Sequence, residues 1–284
     1  MLLLALLSAG MTPPPTDIDT TMHLARNGAV SIDSRTRNIV IRVGSGDLLI
    51  VRGGSVDADG HTVDIDGDDP MRGGSGNLEV TLPSWARLEV STVSGDVTFT
   101  GTPERTHAES VNGSIRVDNG QGLLDLESVA GAIVVNGFNG TQLSIDATNQ
   151  NVSVTNATGD IKVENVNGTI TLHGIHSSAV SAETVNGNVE YSGDFAAGGR
   201  YAFTTQNNNV TLLVPAGFSA RVQVTTLNGA LNTDIPAVTN GSDQRNRDPG
   251  DEQTITATYG SGAARISIDV FNGNAIVKRA SARP

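Results

Sequence analysis

The sequence predicts an all-β chain wound as a single elongated parallel β-solenoid (β-helix), with about 18–21 residues and two strands per coil. Three observations predict it. A Val-x-Gly-x-Val unit recurs at nearly fixed spacing, apolar residues around it alternate with a period of two, and large side chains are scarce. The unit starts at Val93 (Val-Ser-Gly-Asp-Val), Val111 (Val-Asn-Gly-Ser-Ile), Val129 (Val-Ala-Gly-Ala-Ile), Val166 (Val-Asn-Gly-Thr-Ile) and Val185 (Val-Asn-Gly-Asn-Val). Of 284 residues 37% are hydrophobic but only 4% aromatic, and 33 are glycine. That composition suits a thin stacked core of Val, Ile, Leu and Ala.

The chain opens on an apolar run, Leu2 to Leu7, closing in Ser8-Ala9-Gly10 and followed by Pro13-Pro14-Pro15. Residues 1–16 read as a clipped export signal, lacking the basic start, and a stiff proline linker. The run is too short to span a bilayer. Residues 17–284 read as one solenoid domain with insertions at 52–87 and 234–253.

With the first residue of each unit as a register mark, marks fall at Arg26, Gly44, Val93, Val111, Val129, Thr148, Val166, Val185, Gln206, Leu227 and Phe271. From Val93 to Leu227 successive intervals are 18, 18, 19, 18, 19, 21 and 21 residues. A constant period of this length is the sign of a stacked repeat. Before each mark, positions −5, −3 and −1 face inward, as in Leu88, Val90 and Thr92, or Tyr201, Phe203 and Thr205. After it, +4 and +6 do so, as in Ile115 and Val117. Intervening residues are mostly polar, the alternation of a pleated strand. About eleven coils follow, a rod of roughly 48 Å at one strand spacing per step. The usual crossover rule makes right-handed winding the expectation.

Between the two strands lies a corner. The glycine two residues past the mark suits positive φ or close packing, and the asparagine before it tolerates a bend. Asn112-Gly113, Asn167-Gly168, Asn186-Gly187, Asn228-Gly229 and Asn272-Gly273 are the expected corner ladder, their amides bonding from coil to coil. An antiparallel meander of Asn-Gly hairpins is the rival fold. Gln150 and Asn208 replace the glycine, so their corners should be distorted. Insertion 52–87 holds acidic turns and a Gly73-Gly74-Ser75-Gly76 link, and 234–253 reads as a polar surface loop. Lys278-Arg279 and Arg26 are the residues expected to blunt the edges at the two ends.

The repeated Val-Ser/Asn-Gly-Asp/Asn-Val, the run Leu82–Val97 and the terminal Phe271-Asn-Gly-Asn-Ala-Ile-Val resemble the bacterial adhesin-like DUF4097 family, a domain of unknown function. The resemblance covers roughly Asp17 to Arg279. It implies a β-solenoid of the exported kind and supplies no catalytic motif.

Composition narrows the chemistry. A net charge of −12 argues against nucleic acid as partner. The absence of cysteine removes disulfides, thiolate catalysis and thiolate metal sites. Outward acids (Glu109, Asp125, Glu127, Asp146, Glu164, Glu183, Glu190) are spread along the coils, as a solvated face requires, and form no catalytic constellation. His173 and His176 lack a third ligand, and His23, His61 and His107 are scattered. Asp64-x-Asp66-x-Asp68 lacks the glutamate of a calcium loop and reads as a turn. Trp85, Tyr191, Tyr201, Phe99 and Phe203 fall at core or turn positions, leaving no sugar-stacking platform. The expectation is a non-catalytic exported or cell-envelope binding and scaffolding protein, with no catalytic residue, metal or cofactor and no membrane span. Its partner would be a protein or glycan held at surface faces and loops. The alternatives are a polysaccharide-active enzyme, an envelope-sensing regulatory partner and a calcium-stabilised module.

Overall fold

The computed structural model describes residues 20–68, 76–241 and 252–280. The signal and linker segment, Gly73-Gly74-Ser75 and most of the polar loop lie outside the described residues. In chain order the strands are β1 (Thr20–His23), β2 (Ala29–Ser34), β3 (Ile39–Gly44), β4 (Leu48–Arg52), β5 (Ser55–Asp59), β6 (Thr62–Asp66), β7 (Leu78–Pro83), β8 (Arg87–Thr92) and β9 (Val97–Thr100). They continue with β10 (Arg105–Ser110), β11 (Ile115–Ser128), β12 (Ile133–Ala147), β13 (Val152–Asn167), β14 (Ile170–Ile175), β15 (Ala179–Asn186) and β16 (Val189–Gly193). The last are β17 (Arg200–Asn207), β18 (Val210–Val214), β19 (Ala220–Asn228), β20 (Leu231–Thr233), β21 (Val238–Gly241), β22 (Gln253–Tyr259), β23 (Ala264–Asn272) and β24 (Ala275–Arg279).

These strands stack as a parallel solenoid. Arg87, Arg105 and Leu123 stand above one another in β8, β10 and β11, and Val97, Ile115 and Ile133 do so in β9, β11 and β12. The Asn-Gly corners therefore join two faces of one coil and close no antiparallel hairpin. Inward positions are the alternating ones: Leu88, Val90, Val97 and Phe99 are all buried, as are Leu143, Ile145, Val152 and Val154. Opposing sheets bring these rows together in one dry column. In the middle coils β11, β12 and β13 run round the return corner, and Gly120, Phe138 and Ala157 there form a short third side.

A row of left-handed residues sits at that return corner. Gly101, Asn119, Gly137, Asn156 and Gly174 recur eight residues past their marks, with φ of +74°, +60°, +80°, +55° and +65°. Only glycine and asparagine adopt this region cheaply. At the Asn-Gly corner glycine answers mainly to close approach. A Cβ on Gly113 would lie 1.9 Å from the carbonyl oxygen of Gly95 one coil away. Where the underlying corner lacks glycine the backbone does shift: Asn208 has φ +120°, and Gly168 and Gly273, which stack on Gln150 and Asn208, have φ of +150° and +153°.

Both ends depart from sequence order. The first bend is Arg35–Asn38, not at Arg26 or Gly44: Ser94 N–H donates to the Arg35 carbonyl, and Ile39 and Ile41 pair with Val97 and Phe99. Because Ile39, Ile41 and Val43 alternate, they fit the strand on either side of a mark, and the wrong phase exchanges the two faces. The stretch 52–87, expected as an insertion, supplies β6 and β7, which stack on β2 and β3. The sequence between β6 and β7, residues 67–77, is too long to show the period. Arg37 fastens this end, donating to the carbonyls of Gly67 at 3.0 Å, Gly76 at 2.9 Å and Asn77 at 3.2 Å, and also to that of Gly53.

At the other end β23 lies between β17 and β19, and β24 between β18 and β20. The chain thus lays down its outermost coil, β19–β20, before filling the gap behind it. Among the described residues eleven coils result, from β6–β7 to β19–β20. Lys278 and Arg279 are consequently interior to the stack and blunt no edge. Antiparallel strands do so instead: β5 covers β6, β4 and β1 cover β7, and β22 with β21 covers β19. A reversed strand ends the parallel register, which is how an exposed edge is kept from templating a neighbour.

Candidate functional site

The surface offers two regular features, the corner edge and the outer face of the sheet that contains β8, β10, β15 and β17. At the corner edge the residues one past the mark form a chain of amides. Asn167 donates to Asn149 at 3.0 Å, Asn186 to Asn167 at 2.9 Å, and Asn207 to Asn186 at 2.9 Å. Asn272 donates to Asn207 at 3.2 Å and Asn228 to Asn272 at 2.9 Å. Of the expected ladder residues, Asn167, Asn186, Asn272 and Asn228 meet here. Asn112 stands apart, since Ser94 and Ala130 occupy the neighbouring corners. Gly113, Gly168, Gly187, Gly229 and Gly273 lie beneath, packed on the next coil's carbonyls.

Asn149 and Asn207 were hidden because their corners lack the following glycine. A second row, three past the mark, also escaped the sequence reading. Asn38, Asp96, Asn151, Asn188, Asn209 and Asn274 each accept a backbone N–H from the adjacent coil, at 2.8–3.2 Å. Beside both rows runs an exposed apolar ridge at the marks themselves, including Val93, Val129, Val166 and Phe271.

On the outer face of the sheet, equivalent positions repeat as columns. Two residues before the mark stand Glu109, Glu127, Asp146, Glu164 and Glu183, in register on five adjacent strands. Burial pushes the Asp146 carboxyl up, and the Glu164 charge adds to this. A hydrogen bond from Lys162, 2.7 Å away, holds Glu164 below the usual carboxylate range. Burial likewise raises Asp33, with Glu89, Asp66 and Asp64 reinforcing it. Six residues before the mark the same face carries arginine: Arg87 and Arg105 toward one end, Arg200, Arg265 and Arg221 toward the other.

The histidines pair between coils. His107 meets Asp125 at 3.2 Å, His176 meets Asp194 at 2.6 Å, and His173 meets Ser192 at 2.7 Å. His173 and His176 thus turn to different partners. His107, Asp125 and Glu127 bring ligand atoms within 4.8 Å of one another, a group the sequence reading did not single out. Asp68 of the acidic run is spent on the fold: it accepts from Thr36 Oγ1 at 3.0 Å and from the Arg35 N–H. Burial alone would raise its carboxyl, but these bonds hold it low. Phe99, Phe203, Tyr191 and Tyr201 are buried, and Trp85 packs against the core. Among the described residues no helix is long and apolar enough to cross a membrane.

The chain has a counterpart among known families. The model described as Toastrack DUF4097 matches residues 19–278. The chain belongs to the Toastrack DUF4097 family. Solved structures similar to this Toastrack chain include a candidate adhesin from Parabacteroides merdae, at 9% identity and a TM-score of 0.49, covering 93% of this chain and 96% of that one. A candidate cell adhesion protein from Clostridium sporogenes is similar at 10% identity and a TM-score of 0.25, covering 93% and 100%. A candidate lipid-binding protein from Parabacteroides distasonis is similar at 10% identity and a TM-score of 0.38, covering 93% and 96%. No curated protein matches the Toastrack chain by sequence.

Proposed function

We propose that this Toastrack chain is a non-catalytic, exported or cell-envelope binding rod, adhesin-like in use, acting as one domain over residues 17–284. One observation carries the reading: the chemistry of the outer face repeats from coil to coil. Catalysis gathers unlike groups at one place; here like groups recur at strand spacing, an arrangement suited to multipoint contact with an extended glycan or protein surface. The two hydrogen-bonded rows at the corner edge tie successive coils in register. Export is supported by the apolar start of the sequence. An envelope-sensing partner would be a defined protein captured through residues 234–253.

The test is incubation with purified envelope polysaccharides and envelope proteins, followed both by binding and by the appearance of new reducing ends. Saturable binding without new ends is the expected result. New ends that scale with protein would overturn it.

The polysaccharide-active alternative has one observation in its favour: Asp146 and Glu164 stand opposite each other on neighbouring strands, burial raising the pKa of the first and the Lys162 hydrogen bond lowering that of the second. Asp146→Asn separates the readings. For a binding rod its consequence is stability alone. The folded-state pKa of Asp146 is raised by burial, so its ionised form costs stability at neutral pH, and that cost disappears as pH falls through the folded value to below the ordinary one. The variant should therefore melt above the parent at pH 7 and level with it at about pH 3, below the ordinary carboxylate range. An equal difference at both would show that ionisation is not the cause.

A further inference from the structure

We propose that Arg200, Arg265 and Arg221 form a binding site for the anionic groups of an extended acidic polysaccharide. This deepens the binding reading above and rests on it. The three arginines stand directly opposite one another on β17, β23 and β19. Neighbouring strands lie about 4.8 Å apart, and like charges set opposite each other are unfavourable. All three are exposed, and no side-chain ion pair or hydrogen bond engages them among the described residues. By contrast Arg42, Arg52 and Arg116 each have a carboxylate within 4.0 Å. In a chain of net charge −12, three adjacent unpaired guanidinium groups are a concentration of charge that the fold itself does not use.

The row borders an open groove of about 690 Å³. Ala179, Ser181, Ala202 and Ser267 line it, short side chains that let a ligand approach the sheet closely. Asp160 and Lys162 stand at its far end, and Lys162 is held by Glu164 at 2.7 Å. Guanidinium groups bind carboxylate, sulfate and phosphate oxygens in bidentate fashion. A row three strands long suits successive acidic groups along one thin chain. Arg105 and Arg87 occupy the same column five and six coils from Arg200 and extend the track for a longer polymer.

Charge alone would also attract nucleic acid. The observations favour a glycan. Among the described residues no exposed aromatic borders the groove to stack bases, which single-strand binders use.

The experiment measures binding of heparin fragments (sulfated), alginate fragments (carboxylated), neutral dextran and a single-stranded oligodeoxynucleotide to the full chain, over a range of salt. The chain is then replaced by Arg200→Gln, Arg221→Gln, Arg265→Gln and the triple variant. Both acidic glycans, and not dextran, should bind, each arginine contributing about tenfold in affinity and about one unit of the logarithmic salt slope. Arg116→Gln, the same change of charge on the other outer face, should bind as the parent does. Melting temperature guards against misfolding: Arg265→Gln should hold or raise it, because repulsion from both sides is relieved. Equal glycan binding by the parent and the triple variant, or no binding by the parent, would overturn the site while leaving the binding rod intact. Tighter, arginine-dependent binding of the oligonucleotide would overturn the glycan assignment. Recovered glycan length separates the two levels: shortened chains together with arginine-dependent binding would sustain the site and overturn the non-catalytic reading.

Discussion

Gly168→Val should cost about 4 kcal/mol or more, and Thr171→Ser less than about 0.5 kcal/mol. The two positions are three residues apart in the same coil, so the contrast isolates the corner. Gly168 has φ +150°, and a Cβ there would lie 2.4 Å from the Gln150 carbonyl oxygen and 2.9 Å from Asn165 Nδ2. The valine would meet unfavourable backbone torsion and a backbone atom that cannot move without dragging the adjacent coil. Thr171 faces outward on β14, paired with Ser153 and Glu190, and serine preserves its hydroxyl. For a chain of this size the valine variant should melt about 10 °C lower, read by circular dichroism at the β-sheet band. Equal shifts for the two variants would contradict the stacked corner.

The second large effect concerns the order of the coils. Deleting residues 264–280 removes β23 and β24, which lie inside the stack. In a solenoid built strictly in sequence, loss of the final coil would merely shorten the rod, since each coil contacts only its neighbours. Here β17 and β19 would each lose the partner that joins them, and the buried faces of Ile266, Ile268 and Val277 would vanish from the core. At about 2–5 kcal/mol for each large core side chain removed, the coil β19–β20 and its cap cannot remain docked. Limited proteolysis should cut the truncated chain between residues 215 and 260 while the segment before Val214 stays protected. Persistent protection of the later segment would mean that β19 had slipped back against β17.

The central coils were legible because alternation and spacing agree from Val93 to Leu227. Core positions such as Val90, Phe99, Ile145 and Phe203 follow from that agreement. Legibility failed where two patterns satisfy the same residues. Ile39, Ile41 and Val43 fit either strand of a coil, so the first marks were placed on the wrong face. Strand order failed for a different reason: no local signal tells β23 to enter between β17 and β19. The arginine row was invisible for that cause, since Arg200 and Arg221 are one period apart while Arg265 arrives from much later in the chain. The left-handed return corner did leave a signal, the alternation of glycine and asparagine at 101, 119, 137, 156 and 174. It was masked by the louder Asn-Gly motif. The amides of Asn149 and Asn207 were missed because asparagine had been tied to the glycine after it, whereas hydrogen bonding along the edge needs only the amide.

The reversed strands at both extremities have a consequence for how such proteins vary. Because reversed strands lie on β6 and β7 at one limit and on β19 at the other, the interior is free to change in number. Duplicating one eighteen-residue module between Val93 and Val166 would lengthen the molecule by about 4.8 Å and add one more row to each outer column. Reach and valency can thus be adjusted by gene duplication without redesigning either terminus.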